Sequence, residues 1–279
     1  DAITTYSSEE VWLYLLDFGT EALKIFKGAP HVGDIIFAND TEKIDRFLNM
    51  IQNEIKERKS ILSNYNGDYK LYLNTTKKPM PMIVIMINNY AAFSEMYQDQ
   101  YEDIISTLTR EGTKCGIVFV ITTSSTNEIR YRMTQNFKQK IALQLNNEDD
   151  FINIFDHLGK KRPAHIFGRG LITLEDNKIY EYQTAKICKA ENWNVNIKNA
   201  IEKAKENNKL IAQNIPTIPN KVTYSNVQKE LKDLSSIPVG INKKDLKICT
   251  YDFKNNFINI ITAKNTEDAT IFVSHIVEE

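Results

Sequence analysis

The chain has 279 residues, room for one large domain or two modest ones at ~100–200 residues each. Hydrophobic residues make up 42% and charged residues 25% of it, a globular balance that excludes disordered and fibrous classes. With 35 basic and 36 acidic residues the formal net charge is -1, so no global field draws the protein to nucleic acid or anionic lipid, and no nucleic-acid partner is expected.

In chain order, Val11 to Leu16 is a compact apolar run that ends in Asp17, Phe18 and Gly19, the pattern of a buried strand running into a polar loop. From Thr41 to Leu62, Ile44, Phe47, Leu48, Ile51 and Ile55 repeat at helical spacing, while Glu54, Lys56, Glu57, Arg58 and Lys59 crowd the other face. Asp40 and Thr41 are candidate caps. Met82 to Ile87 is wholly apolar and rich in β-branched residues, the mark of a central strand covered on both faces, and Asn88 and Asn89 follow it. A helix is predicted over about 97–110 with Gly112 as its stop, then a strand over 116–121 followed by the polar stretch 122–127. Ile141, Leu143 and Leu145 alternate with polar residues as in a half-exposed strand, and 171–174 with 178–182 reads as a hairpin. After Ala185 the composition shifts. Ile197, Ile201, Ala204, Leu210 and Ile211 mark a Lys/Glu/Asn-rich helix, which Pro216 and Pro219 interrupt. A short helix over about 227–234, a turn and edge at 238–241, strands at 246–251 and 257–261 and a helix from about Glu267 complete the chain.

Strands alternating with helices at this spacing imply an α/β parallel sheet, in which ligands collect beyond the C-terminal strand ends. Those ends hold Asp17, Asn88 with Asn89, and Thr122 with Thr123. The longest apolar run, Met80 to Ile87, is far short of the ~20 residues that a membrane-spanning helix needs, and the acidic N-terminus has no basic region leading into an apolar one. A soluble chain is therefore expected. Cys115, Cys188 and Cys249 are scattered and odd in number, which argues against a disulfide framework and offers no zinc spacing.

A nucleotide motor usually carries GxxxxGK[ST], whose backbone N–H groups cradle phosphate. The sequence has no such motif. Gly28 to Gly33 matches the glycine spacing, but Asp34 stands where the lysine belongs.

Several strings occur here in one order: Leu15-Leu16-Asp17-Phe18-Gly19, Pro30-His31-Val32-Gly33-Asp34, Glu57-Arg58-Lys59, the strand 83–87 with its asparagine pair, Arg110-Glu111-Gly112, Thr122-Thr123-Ser124-Ser125, Asn136-Phe137 and Gly168-Arg169-Gly170. In that order they resemble FtsK/SpoIIIE-type ATPase domains, and most of all the membrane coupling proteins of Gram-positive type VII secretion, the EssC/YukB-like family. The resemblance spans about 7–185. It implies a RecA-like P-loop NTPase-type fold over 1–185 whose phosphate loop lies upstream of Asp1, a helical linker over 186–224, and the start of a further, degenerate ATPase-like domain over 225–279. In that last part Thr262-Ala263-Lys264-Asn265-Thr266-Glu267-Asp268-Ala269 replaces the glycine-rich loop, without the glycines that let backbone wrap a phosphate.

In the family the Walker B strand ends in Asp-Glu, one carboxylate organising Mg²⁺ and the other polarising the attacking water. By the resemblance Asn88 and Asn89 occupy those positions, and an amide has neither the charge to hold Mg²⁺ nor the basicity to activate water. The resemblance makes Asp17, Thr123 and Ser124 nucleotide-binding candidates, with Thr123 and Ser124 in a sensor loop. Arg110 and Arg130 become candidates for an arginine finger acting on a neighbouring subunit. Each has a plain alternative: a strand-ending amide pair, a polar loop, or an ion-paired arginine. The expected role is interdomain regulation or export-substrate docking with weak or absent hydrolysis. ATP with Mg²⁺ is the candidate cofactor, and sibling ATPase domains and helical-hairpin export substrates are the candidate partners. The expected location is the cytoplasmic side of a bacterial cell membrane, which the parent protein reaches through parts outside this chain. The rivals are an active DNA translocase of the same superfamily, against which the charge and the missing acids speak, and a non-nucleotide α/β interaction module.

Overall fold

The computed structural model describes residues 1–97, 100–125, 128–145, 148–155, 158–159, 161–186, 188–218, 222–223, 227, 237–242, 246–251 and 260–278. The chain divides into two compact units, Asp1–Ile215 and Pro216–Glu279.

In the first unit a short helix, α1 (Ala2–Thr5), leads into strand β1 (Val11–Asp17), and strands β2 (Val32–Phe37), β3 (Met82–Asn88) and β4 (Ile117–Ile121) follow. All pair in parallel in the order β2-β1-β3-β4. Parallel strands need long crossovers, which are supplied here by helices α2 (Thr41–Leu62), α3 (Tyr69–Thr76), α4 (Tyr90–Tyr97) and α5 (Glu102–Gly112). One face of the sheet packs Tyr14, Leu16, Ile36, Ile83, Ile85 and Ile87 against the apolar stripes of α2, α4 and α5. On the other face Val11, Leu13, Leu15, Val32 and Ile35 meet Ile197 and Ile201. Strand β3 alternates, with Ile83, Ile85 and Ile87 buried and Val84 and Met86 only partly so, because the second face is covered less completely than the first.

Four local expectations change. Asp40 does sit at the N-cap of α2, but its carboxylate accepts from the N–H of Phe37 behind it and caps no helical N–H. The helix predicted over 97–110 is α5, which starts only at Glu102, and a separate helix, α4, which the sequence pattern did not predict, ends at Tyr97. Gly112 is the last residue of α5, as expected, but it is not a left-handed cap: it has right-handed backbone angles, and the chain continues through a tight turn at Thr113–Cys115 to Gly116, whose φ of 71° ends the run. Arg58, expected on the solvent face of α2, is 2% exposed.

Beyond β4 come the short helix α6 (Tyr131–Thr134), strand β5 (Ile141–Ala142), helix α7 (Glu148–Ile154) and the strands β6 (Arg169–Thr173) and β7 (Ile179–Gln183). The last two form the expected hairpin, and β5 joins them in a three-stranded antiparallel sheet. Its buried residue is Ala142, packed with Phe151, Phe155 and Leu171, while Ile141 and Leu143 are exposed, the reverse of the expected face. Gly170 explains the choice: a Cβ there would lie 2.5 Å from the Ala142 carbonyl oxygen, so the two strands approach through their smallest residues.

Helix α8 (Trp193–Asn207) ends before Leu210 and Ile211, which are exposed, and the extended segment 208–215 bonds back to Tyr14 and Pro30 within the same unit. In the second unit, strands β8 (Ile237–Ile241) and β9 (Ile248–Tyr251) pair antiparallel, with an irregularity between Pro238 and Gly240, where a turn and edge was expected. Helix α9 (Thr266–Glu278) starts at the expected place, and Asn265 caps it by accepting from the Asp268 N–H at 2.8 Å. The helix expected over 227–234 and the strand over 257–261 lie outside the described residues apart from 227, 260 and 261.

Candidate functional site at the C-terminal strand ends

The registers of the parallel sheet bring Asp17 opposite Asn88, and Ile87 opposite Ile121, so the residues that end β1, β3 and β4 meet. Asp17 is 1% exposed. Its Oδ1 accepts from the Gly19 N–H at 3.0 Å and from Asn88 Nδ2 at 2.9 Å, and its Oδ2 accepts from the Leu23 N–H at 2.9 Å. A buried carboxylate persists only when donors surround it, and here two backbone amides and a side-chain amide do so. The loop after β1 can bend this closely because position 19 is glycine: a Cβ would lie 3.1 Å from Asn88 Nδ2.

Asn88 uses both ends of its amide. Nδ2 donates to Asp17, and Oδ1 accepts from Thr122 Oγ1 at 2.8 Å. The Thr122 hydroxyl in turn accepts from the Asn89 N–H at 3.0 Å. Asn89 has φ 60°, the left-handed region that Asn tolerates better than other side chains, and its Nδ2 donates to the Phe18 carbonyl at 3.3 Å. This backbone turn starts α4. Below it lies an aromatic cluster in which Phe93 stands 5.0 Å from Phe18 and 5.6 Å from Tyr90 between ring centroids.

Thr123 and Ser124 do not join this chain of bonds. Thr123 Oγ1 donates to Glu128 Oε2, Ser124 Oγ lies 3.4 Å from Oε1, and the Ser125 N–H lies 3.4 Å from Oε2. Glu128 is the participant that the sequence reading missed, and its spacing of four or five residues from the hydroxyls was the available signal. Arg130 pairs with Glu102, Nε to Oε2 at 2.8 Å, and so ties the start of α6 to the start of α5. Arg110 is half-exposed, and its Nη2 lies 3.5 Å from Oε1 of the neighbouring Glu111. Arg169 spans Glu181 and Gln183 within the hairpin.

The donor set is poor for Mg²⁺. The Asn88 side-chain oxygen is uncharged and accepts from Thr122, the Asp17 carboxylate is buried under three donors, and Glu128 faces the hydroxyls of its own loop. Among the described residues no group of three His, Cys, Asp or Glu side chains could hold a metal ion. The residues present therefore do not fit a Walker-type metal centre. Among the described residues, too, no helix is long and apolar enough to cross a membrane.

Known proteins share this architecture. The type VII secretion system protein EssC of Staphylococcus aureus strain MRSA252 is 28% identical over 281 residues, covering 96% of this chain and 19% of the relative. The ESX secretion system protein EccC of Geobacillus thermodenitrificans is 23% identical over 98% of this chain and 19% of its own length. The chain thus spans about a fifth of the curated relatives it matches. Among solved structures, EssC (ATPases 2 and 3) from Geobacillus thermodenitrificans superposes with a TM-score of 0.83 at 23% identity, covering 98% of this chain and 53% of that one. EccC (ATPases 2 and 3) from Thermomonospora curvata, solved with a signal sequence peptide, gives 0.69 at 21% identity over 91% of this chain and 47% of that one. The fold is that of the FtsK-type P-loop ATPases, a nucleotide-binding architecture. Residues 1–177 match the profile of the FtsK/SpoIIIE family, to which this chain belongs.

Proposed function

We propose that this chain is an ATPase-fold segment of a type VII secretion coupling protein that hydrolyses ATP weakly or not at all, and that it serves interdomain regulation or export-substrate docking. The observation that carries the reading is the Asn88 amide, held between Asp17 and Thr122 at the end of the central strand. In that place the family's chemistry needs a carboxylate facing the metal. A degenerate ATPase-type domain over 1–185, a linker over 186–224 and the start of a second such domain over 225–279 belong to the same proposal. The self-capped start of α9 supports its last part, since Asn265 fills a donor that a phosphate would use. The proposed partners are sibling ATPase domains and helical-hairpin export substrates on the cytoplasmic side of the cell membrane. Support for substrate docking comes from the EccC relative, whose structure holds a signal sequence peptide. Membrane attachment is assigned to parts of the parent protein other than this chain.

The test is ATP turnover measured with and without Mg²⁺ on this chain and on its parent protein, each beside an Asn88→Asp, Asn89→Glu double variant. The expected result is turnover near the blank for the unchanged residues. Brisk Mg²⁺-dependent turnover that needs no substitution overturns the reading, and salt-sensitive affinity for duplex DNA would move it towards a DNA translocase.

A further inference from the structure

Thr123, Ser124 and Ser125 leave β4 at the strand end where this fold places ligands. Two hydroxyls and one backbone N–H from these consecutive residues converge on the single carboxylate of Glu128. The contact to Thr123 is the tight one; the other two, at 3.4 Å, are long. A carboxylate and a phosphoryl group ask for the same donors, so a loop whose donors already hold an anion of its own chain is closed to an anion from solution. The carboxylate acts twice, by filling the donors and by repelling the charge of an incoming oxyanion.

We propose that Glu128 is an internal, autoinhibitory ligand: its carboxylate occupies the Thr123, Ser124 and Ser125 donors that would otherwise take a phosphate-class oxyanion. The inference deepens the reading of the site as one that does not turn over ATP, and rests on it for the choice of ligand class. Glu128→Gln keeps the shape and removes the charge, whereas Glu128→Ala takes the carboxylate away from all three donors. The Thr123 hydroxyl also lies 3.0 Å from the Ser125 carbonyl oxygen. Among the described residues that carbonyl is an alternative partner for it.

The experiment titrates inorganic phosphate into the full chain and follows the backbone-amide NMR signals of 123–125, with a matched chloride titration as control. In the unchanged chain these signals stay put. In Glu128→Gln and Glu128→Ala they move saturably, with an apparent Kd lower by about tenfold or more than any response of the unchanged chain. Adding Thr123→Val to Glu128→Gln abolishes the response. Equal responses with and without Glu128, or none in variants that circular dichroism shows to be folded, overturn the inference. Loss of fold in both variants overturns it as well, because Glu128 would then be a structural residue. ATP turnover by the unchanged chain would overturn the reading of the site as inactive and leave the phosphate result standing.

Discussion

Asn88 closes the end of the central strand with both halves of its side-chain amide in use. Its amide supplies what an aspartate could not, a donor to the buried Asp17 and an acceptor for Thr122 in one planar group. Asn88→Asp therefore sets two carboxylates where a 2.9 Å hydrogen bond stood. Like charges raise the pKa of one member of such a pair in the folded state above its unfolded value. The penalty is thus largest at neutral and alkaline pH and disappears as pH falls and the pair takes up a proton. Urea unfolding should show a loss of roughly 1–3 kcal/mol at pH 8 that shrinks towards pH 5. A loss that does not change with pH would mean that the new carboxylate has turned away from Asp17. Asn89 carries a second constraint of the same kind, because its φ of 60° suits Asn or Gly and strains a glutamate. Installing an acidic pair at these two positions thus works against the local backbone as well as against Asp17.

At the scale of elements, Arg58 marks how far pattern reading carries. The buried positions Ile51, Ile55, Arg58 and Leu62 of α2 follow one another at spacings of four, three and four, so the helical period itself points the arginine inward. The charged neighbours Lys56, Glu57 and Lys59 mask this in the sequence, because residue type there points outward while the phase points inward. Inside, Nη1 donates to the Cys115 carbonyl at 2.9 Å, Nη2 to the Pro81 carbonyl at 2.8 Å and Nε to Glu54 at 2.7 Å. One side chain thus pins α2 to the chain entering β3 and β4. Arg58→Ala would strand two carbonyls and leave a void, and a cost of about 3–5 kcal/mol in thermal or urea unfolding is expected. Glu54→Gln should cost under about 1 kcal/mol, because Glu54 keeps partial contact with water. Similar costs for the two would show that the ion pair, and not the carbonyl contacts, holds the arginine. The central strands and α2 were legible because long apolar runs and a 22-residue amphipathic repeat give strong signals. The break between α4 and α5, the face of β5 and the role of Glu128 were not. They depend on which groups tertiary packing brings together, through the aromatic cluster at Phe93, the close approach at Gly170 and a loop-spanning hydrogen bond.

The whole molecule turns on where the first unit ends. Residues 198–209 are rich in Lys, Glu and Asn, the composition of a linker, yet α8 buries Ile201 and Ala204 on the first unit. The segment behind it is strapped down by four hydrogen bonds. The Ser8 N–H and Oγ reach Asn208 Oδ1 at 2.7 Å and the Leu210 carbonyl at 2.5 Å, the Ala212 N–H reaches the Pro30 carbonyl at 2.8 Å, and Tyr14 OH reaches the Gln213 carbonyl at 2.7 Å. Burial raises the Tyr14 phenol well above its ordinary pKa, so it remains a donor at any physiological pH. Ala212 and Ile215 are buried along with the strap. Gly33 leaves it room, since a Cβ there would lie 2.5 Å from the Gln213 carbonyl oxygen. These contacts predict that residues 1–215 fold as a unit with the stability of the same region in the full chain. A protein ending at Asn207 should lose roughly 3–6 kcal/mol, the sum of the lost hydrogen bonds and the exposed Ala212 and Ile215. Gly33→Ala in the full chain should expose the amides of 208–215 to hydrogen exchange while those of β1 and β3 stay protected. If 1–207 and 1–215 unfold at the same urea concentration, the strap adds nothing to the sheet it lies on. The first unit would then end at Asn207 and not at Ile215.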